Sequence, residues 1–281
     1  MINQQKSPFS ELKNKTGKHK DWYSIGFIKI FCNIINSEEK LFSNSDFVKD
    51  YKREYLKLEL KQRLNLISDL LLKYLDFSYR QQLKILSSLF GRPWPYEEGM
   101  FTYGFYLYPV SQFVERNGLN DIQLSLRFIE KLTMQFTGEW AIRPIANFNE
   151  KKTLKQMKEW SKSDNLHVRR LSSEGLRARL PWGQKIEWIQ RNPEKSLPIY
   201  NKLRNDKVLY VRRSVANSMG DIIKINEDLA INTFHSWLTK KKTLENLWVI
   251  KHAIRTPVKK ESKTFLKLNN VIKKEIKKIE R

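Results

Sequence analysis

Apolar residues recur along this chain at intervals of three and four for most of its length, the period of helices buried along one side. In "NSDFVKDYKREYLKLELKQRLNLISDLLLKYL" the positions Leu56, Leu60, Leu64, Ile67, Leu71 and Leu75 draw one stripe, carried by one or two helices. The stripe breaks at "GRPWPYEEGMFTYG", where glycine and proline punctuate a loop rich in aromatics. It resumes in "NGLNDIQLSLRFIEKLTMQFTGEWAIRPI". There Asn120 or Asp121 is placed to cap a helix through Ile122, Leu126, Ile129, Leu132 and Phe136, before Pro144 intervenes. Alternating Val, Ile and Thr runs are few, so the pattern predicts an all-α chain.

The second half repeats itself. "LHVRRLSSEGLRARL" and "LYVRRSVANSMGDII" superimpose with a shift of 43 residues, both opening on Val-Arg-Arg, and "LENLWVIKHAIRTPVKK" takes up a similar register about 37 residues later. Periods of this size mark stacked helical pairs of the HEAT or armadillo type. One pair cannot bury its apolar face alone, so neighbours stack into an array with a concave surface. The closing "VKKESKTFLKLNNVIKKEIKKIER" is strongly basic and reads as a solvated terminal helix, a frayed tail or a direct nucleic-acid contact.

Charge narrows the partners. Lys and Arg number 53 against 30 Asp and Glu, a net charge of +23, which points to a polyanion; a Lys-, Asn- and Ile-rich compositional bias is the bland alternative. The single cysteine, Cys32, excludes an internal disulfide, and four scattered histidines make no metal cluster, so no cofactor and no metal are expected. The N-terminus lacks a basic start followed at once by an apolar run, and no stretch of about 18 apolar residues occurs. The expectation is a cytoplasmic protein that does not engage a membrane.

Acids set among these cations are the candidate chemistry. On a helix Arg170 and Glu174 are neighbours at i,i+4 and Arg177 follows three positions on. An exposed ion-pair ladder of this kind is common and worth only about 0.3–0.5 kcal/mol. Yet Glu139 has Arg143 four residues on, and Asp221 shares a helical stripe with Arg213 and Asn217, so three successive segments each offer one acid. Carboxylates weaken phosphate binding, and a cluster of them in a basic cleft is better explained by a cation to be held there.

"LELKQRL", "PVSQFVERNGLNDIQLSLRFIEKLTMQFTGEWAIRP", "HVRRLSSEGLRARLPW", "VRRSVANSMGDI" and "WVIKHAIRTPVKK", from about Leu58 to Lys260, resemble the successive motifs of the AlkC branch of the DNA alkylation repair glycosylases, relatives of AlkD. The resemblance implies a right-handed superhelix of HEAT-like repeats, an α-solenoid with a concave basic face that wraps damaged duplex DNA. It implies excision of cationic N-alkylated bases such as 3-methyladenine, leaving an abasic site by a monofunctional route, with acceptance of 3-methylcytosine left open by the sequence. Carried over by position, the active-site acids are Glu139, Glu174 and Asp221, and the aromatic after the proline is Trp182. Ala178 stands where the family usually has proline, and Leu176 where threonine is common. The implied layout is an N-terminal extension over residues 1–45, a repeat domain over 46–260 and a basic helix or tail over 261–281, without the immunoglobulin-like domain of many members.

A base alkylated at a ring nitrogen already carries positive charge and leaves without a general acid. What remains is to stabilise the oxocarbenium-like sugar and to direct a water, which carboxylates can do. Glu174 and Glu139 would fill these roles with Asp221 in support. Trp182, whose face attracts a cation by roughly 0.5–2 kcal/mol, would favour the alkylated nucleotide, or else it packs a helix end. Trp140, Trp188 and Trp248 sit in apolar helical patterns and read as core or interface residues. Arg143, Arg169, Arg170, Arg177, Arg179, Arg212, Arg213, Lys251 and Arg255 would grip phosphates, giving salt-sensitive and largely sequence-independent binding by a monomer. Adjacent arginines differ by about 100° around a helix, so one of each pair faces elsewhere. The alternatives are a HEAT-repeat nucleic-acid binder without catalysis and a protein-interaction scaffold.

Overall fold

The computed structural model describes Phe9, residues 17–239 and residues 242–280; residues 1–8 and 10–16 of the expected N-terminal extension lie outside the described residues. Among the described residues there are helices and no strands. The chain forms two compact units, residues 1–141 and 142–281.

The first unit contains α1 (Ile25–Glu38), α2 (Asn44–Glu54), α3 (Leu60–Tyr74), α4 (Tyr79–Leu86), α5 (Met100–Tyr103), α6 (Tyr108–Asn117) and α7 (Ile122–Thr133). Helix starts follow their capping chemistry. Ser24 accepts from the Phe27 N–H, Asp121 accepts from Leu124 at 2.9 Å, and Ser78 with Gln81 closes a capping box. Leu64, Ile67, Leu71 and Leu75 are fully buried, as the stripe requires. Leu56 is not part of it: it lies on a separate turn, Tyr55–Lys57, and is 73% exposed, because the chain leaves helical geometry between α2 and α3. The aromatic-rich loop is irregular up to α5 and folds onto itself, with Trp94 stacked on Tyr103 at 4.6 Å. It is fastened by Trp94 N–H to the Met134 carbonyl at 2.7 Å.

The second unit contains α8 (Ile142–Phe148), α9 (Glu150–Trp160), α10 (Leu166–Glu174), α11 (Glu187–Arg191), α12 (Leu197–Leu203), α13 (Leu209–Ile225), α14 (Glu227–Thr239), α15 (Leu244–Ala253), α16 (Arg255–Lys259) and α17 (Lys263–Ile279). Pro144 sits in the first turn of α8, where a missing N–H costs no helical bond. Helices α10, α13, α15 and α17 pack in that order, with α9 and α14 against their chain neighbours, the stacking expected of HEAT-like pairs. The basic C-terminal segment is the amphipathic helix α17, burying Phe265, Leu268 and Ile272. Residues 25–38 and 263–279 are thus packed into the two units, where the sequence pattern set them apart from the repeats.

The 43-residue repeat is visible in hydrogen bonds as well as in helices. Arg169 donates from one nitrogen to the Ser163 and Asp164 carbonyls, both at 2.9 Å. Arg212 donates in the same manner to Asp206 and Lys207, at 2.6 and 2.9 Å. In both cases the first Arg of Val-Arg-Arg ties its helix to the turn five and six residues before it.

Glycine is required where backbones meet closely. A Cβ on Gly104 would collide with the Gln135 carbonyl, whereas one on Gly220, within α13, meets only the Ala253 carbonyl at 3.5 Å. Chemical denaturation should therefore show Gly104→Ala destabilised by about 2 kcal/mol and Gly220→Ala stabilised by about 0.5–1 kcal/mol through helix propensity.

Candidate functional site

The segment that carries the second-unit acids begins on a helix and leaves it. Asn165 caps α10 by accepting from His167 and Val168, and the helix ends at Glu174. "GLRARLPWG" then continues as a loop whose carbonyls are taken by side chains from elsewhere in the unit. Arg143 binds Gly175 O at 3.2 Å and also Gln184 O, Tyr200 Oη donates to Leu176 O at 3.1 Å, and Gln190 donates to Ala178 O at 2.7 Å. Side chains thus take the place of the helical partners that these carbonyls have lost.

The loop held by these bonds places Arg177 between two carboxylates. Its Nη1 lies 3.1 Å from Glu174 Oε1 and its Nε 3.0 Å from Asp221 Oδ2. Arg170 approaches Glu174 at 3.4 Å, the Arg179 N–H donates to Asp221 at 3.4 Å, and Lys224 stands 3.9 Å from its other oxygen. Glu174 and Asp221 are only 5% and 3% exposed, so these contacts are a buried network and not a surface ladder. Burial pushes the Glu174 carboxyl upward, but Arg170 and Arg177, with a hydrogen bond from Ser214, outweigh it and hold it below its ordinary value. Burial likewise opposes the charge on Arg177, and the two carboxylates reverse that effect.

Glu139 lies in the first unit, in the turn that precedes α8 and not on a helix; it is buried, and Thr137 Oγ1 donates to it at 2.8 Å. Beside it the rings of Trp140 and Tyr108 stack at 4.7 Å. Trp182 is 61% exposed at the tip of the loop and has φ of 60°, a left-handed conformation that a bulky residue adopts at a cost. Trp140 and Trp188 are buried as expected, while Trp248 stacks on His252 at 4.7 Å beneath Arg212.

The arginines divide into kinds that their sequence did not separate. Arg143 is fully buried on backbone carbonyls, so the expected phosphate contact is corrected: its guanidinium builds the loop and cannot reach a solvent-borne anion. Arg169 makes a two-pronged pair with Asp206 at 2.7 and 3.2 Å, and Arg212 is committed to its turn. Arg170 faces Glu174, with its guanidinium 5.1 Å above the Tyr210 ring, so Arg169 and Arg170 do point different ways. Arg179, Arg213, Lys251 and Arg255 are exposed. Arg255 reaches Asn217 at 3.0 Å. The local potential is positive: burial, then Arg255 and Arg213, push the His252 imidazole down to about 4. Tyr210, Ser214, Asp206, Tyr200 and Gln190 were not foreseen. Only Tyr210 had a signal, since the repeat register aligns it with His167 and the two rings meet at 5.9 Å.

Among the described residues no group of three or more His, Cys, Asp or Glu could hold a metal ion. Among the described residues no helix is long and apolar enough to cross a membrane.

No protein-family model matches the chain. It is 34% identical over 250 residues to the uncharacterized protein YhaZ of Bacillus subtilis strain 168, which covers 89% of this chain and 67% of YhaZ. Among solved structures it is similar to Pseudomonas fluorescens alkylpurine DNA glycosylase AlkC bound to DNA containing an abasic site analog. That match has 28% identity and a TM-score of 0.79, over 90% of this chain and 67% of the other.

Arg177→Met should cost about 3–5 kcal/mol near neutral pH, because it strands two buried carboxylates. In the intact chain Glu174, with its pKa lowered on folding, stabilises fully above the unfolded value of 4.5, and this is lost as pH falls through the lower folded value. In the variant, burial acts unopposed by Arg177, so the deficit should shrink on acidification. Denaturant titrations of both proteins across pH 4–8 read that sign.

Proposed function

The chain belongs to the AlkC-type family of alkylpurine DNA glycosylases, and from that premise we propose that it hydrolyses the N-glycosidic bond of cationic N-alkylated bases in duplex DNA. The single observation that carries the reading is the Glu174–Arg177–Asp221 bridge, two carboxylates on one guanidinium withdrawn from water within a strongly basic unit. Buried acids are costly, and a site that keeps two of them has a use for negative charge.

The proposed mechanism assigns that use. In the DNA-free chain Arg170 and Arg177 compensate Glu174, so the cluster is not strongly anionic. When phosphates approach Arg179, Arg213, Lys251 and Arg255, and share Arg170 and Arg177, the positive charge bearing on the carboxylates is diluted. Glu174 and Asp221 then face the sugar as positive charge grows on it, and low local dielectric strengthens the attraction. Glu139, in the first unit, is the further proposed catalytic acid, carried over by position from the family resemblance, and one of the two glutamates is proposed to direct the attacking water. 3-Methyladenine and 3-methylcytosine are the proposed substrates, since both leave as neutral bases. Trp182 is the proposed aromatic contact to the alkylated nucleotide, its strained backbone holding the ring toward solvent.

A second reading draws on the same contacts. Arg170 and Arg177 neutralise Glu174 so fully that the network could serve folding alone, leaving a DNA binder without catalysis.

The two are separated by measuring free 3-methyladenine and 3-methylcytosine released from methylated duplex DNA at matched occupancy. Release by the native chain, with Glu174→Gln and Glu139→Gln each slower by about a hundredfold or more, is the expected result. Salt-sensitive DNA binding with no release from either substrate would leave the binder.

A further inference from the structure

A groove of the first unit takes no part in the proposed chemistry. It lies between α4 and α7, which are joined by a 2.7 Å hydrogen bond between Tyr79 and Ser125 and by contact of the Phe90 and Phe128 rings at 5.0 Å. Beside these fastenings the helices leave about 530 Å³ of open space, the volume of a ligand pocket. Its floor is apolar. Leu83 and Phe128 are buried beneath it, and Leu124 and Met134 line it half-buried.

The walls are basic. Arg80 and Lys84 stand one turn apart on α4, and Arg127 and Lys131 one turn apart on α7, all four exposed. Successive cations on each wall are therefore about 6 Å apart along the helix axis. Among the described residues that line the groove Glu130 is the one acid, and Asp121 approaches Arg80 at 3.8 Å. Lys84, Arg127 and Lys131 make no ion pair among the described residues. Like charges four residues apart disfavour the helix that carries them. The fold of neither wall gains from these pairs, so their use lies in what they face.

We propose that this groove docks an acidic amphipathic helix of a partner protein. The apolar stripe of such a helix covers the floor, and carboxylates on its two flanks, repeating at the same four-residue spacing, face the two rows of cations. Duplex DNA supplies the negative charge but has no apolar stripe to cover Leu124 and Met134. A second copy of this chain would bring a net charge of +23 to a basic rim, and the chain's own first 20 residues carry five lysines against one glutamate. Neither complements the walls. The groove is confined to the first unit, and its role is independent of the chemistry proposed for Glu174 and Asp221.

The probe is a fluorescein-labelled helical peptide with a leucine stripe flanked by glutamates, titrated with the full chain by anisotropy at about 0.15 M salt. A matched peptide carries serine for each leucine. Native protein should bind the leucine peptide about tenfold more tightly than the serine peptide. Lys84→Glu with Lys131→Glu, one reversal on each wall, should weaken the leucine peptide about tenfold or more. Lys202→Glu with Lys267→Glu, in the second unit, changes net charge equally and should weaken it less than about twofold. All four lysines are exposed, so the reversals leave the core intact. Met134→Gln, close in size, should cost the leucine peptide about threefold and the serine peptide nothing. Equal losses in the two double variants, or no preference for the leucine peptide, overturn the proposal, since net charge alone then holds the probe. Affinity for plain duplex DNA should fall alike in both double variants. A loss of DNA binding confined to Lys84→Glu with Lys131→Glu makes the groove a nucleic-acid surface and overturns the peptide partner.

Discussion

One guanidinium lying between two carboxylates that have almost no contact with water is the constraint around which the second unit is organised. Arg177 can bridge Glu174 and Asp221 only because the loop after α10 turns it toward α13, and the loop can turn only because Arg143, Tyr200 and Gln190 take up its carbonyls. The repeat stacking that brings α10 against α13 supplies the remaining requirement, since it sets two acids from segments 47 residues apart within reach of one side chain. Without the bridge each carboxylate would face a desolvation penalty of several kcal/mol. With it that penalty is offset by ion pairing.

The same balance links stability to the proposed chemistry. Charges that are neutralised in the empty protein are safe to bury, and they become effective only when something else takes up the neutralising arginines. A polyanion does that, and duplex DNA is the polyanion that a net charge of +23 and a cluster of exposed cations would draw in.

Much of this was legible in the sequence where spacing alone decides geometry. Helical stripes placed Leu64, Ile67 and Leu71 in the core, the cap was narrowed to Asn120 or Asp121, of which Asp121 serves, and the 43-residue shift found the two Val-Arg-Arg helices whose first arginines make matching bonds. Legibility failed where the chain leaves a helix. Arg177 and Glu139 are both off-helix, so helical spacing holds for Arg170 with Glu174 on α10 but not for Arg177 with Glu174 or for Glu139 with Arg143. Arginine is also ambiguous in sequence, because a guanidinium satisfies carbonyls as readily as phosphates. Arg143 and Arg179 look alike in the sequence, yet one is fully buried and the other faces solvent. The resemblance to a repair family supplied the acids' proposed roles, which periodicity could not.

The central claim is that Glu174 and Asp221 act on a developing sugar cation, so the most direct measurement compares affinity for duplex DNA carrying a cationic pyrrolidine in place of the abasic sugar with affinity for a neutral tetrahydrofuran. Catalysis by charge complementarity predicts tighter binding of the pyrrolidine by the native chain, and loss of that preference in Glu174→Gln while tetrahydrofuran affinity is kept. Equal affinity for both duplexes, or a preference that survives Glu174→Gln together with Asp221→Asn, would contradict it and leave the carboxylates as partners of Arg177 alone.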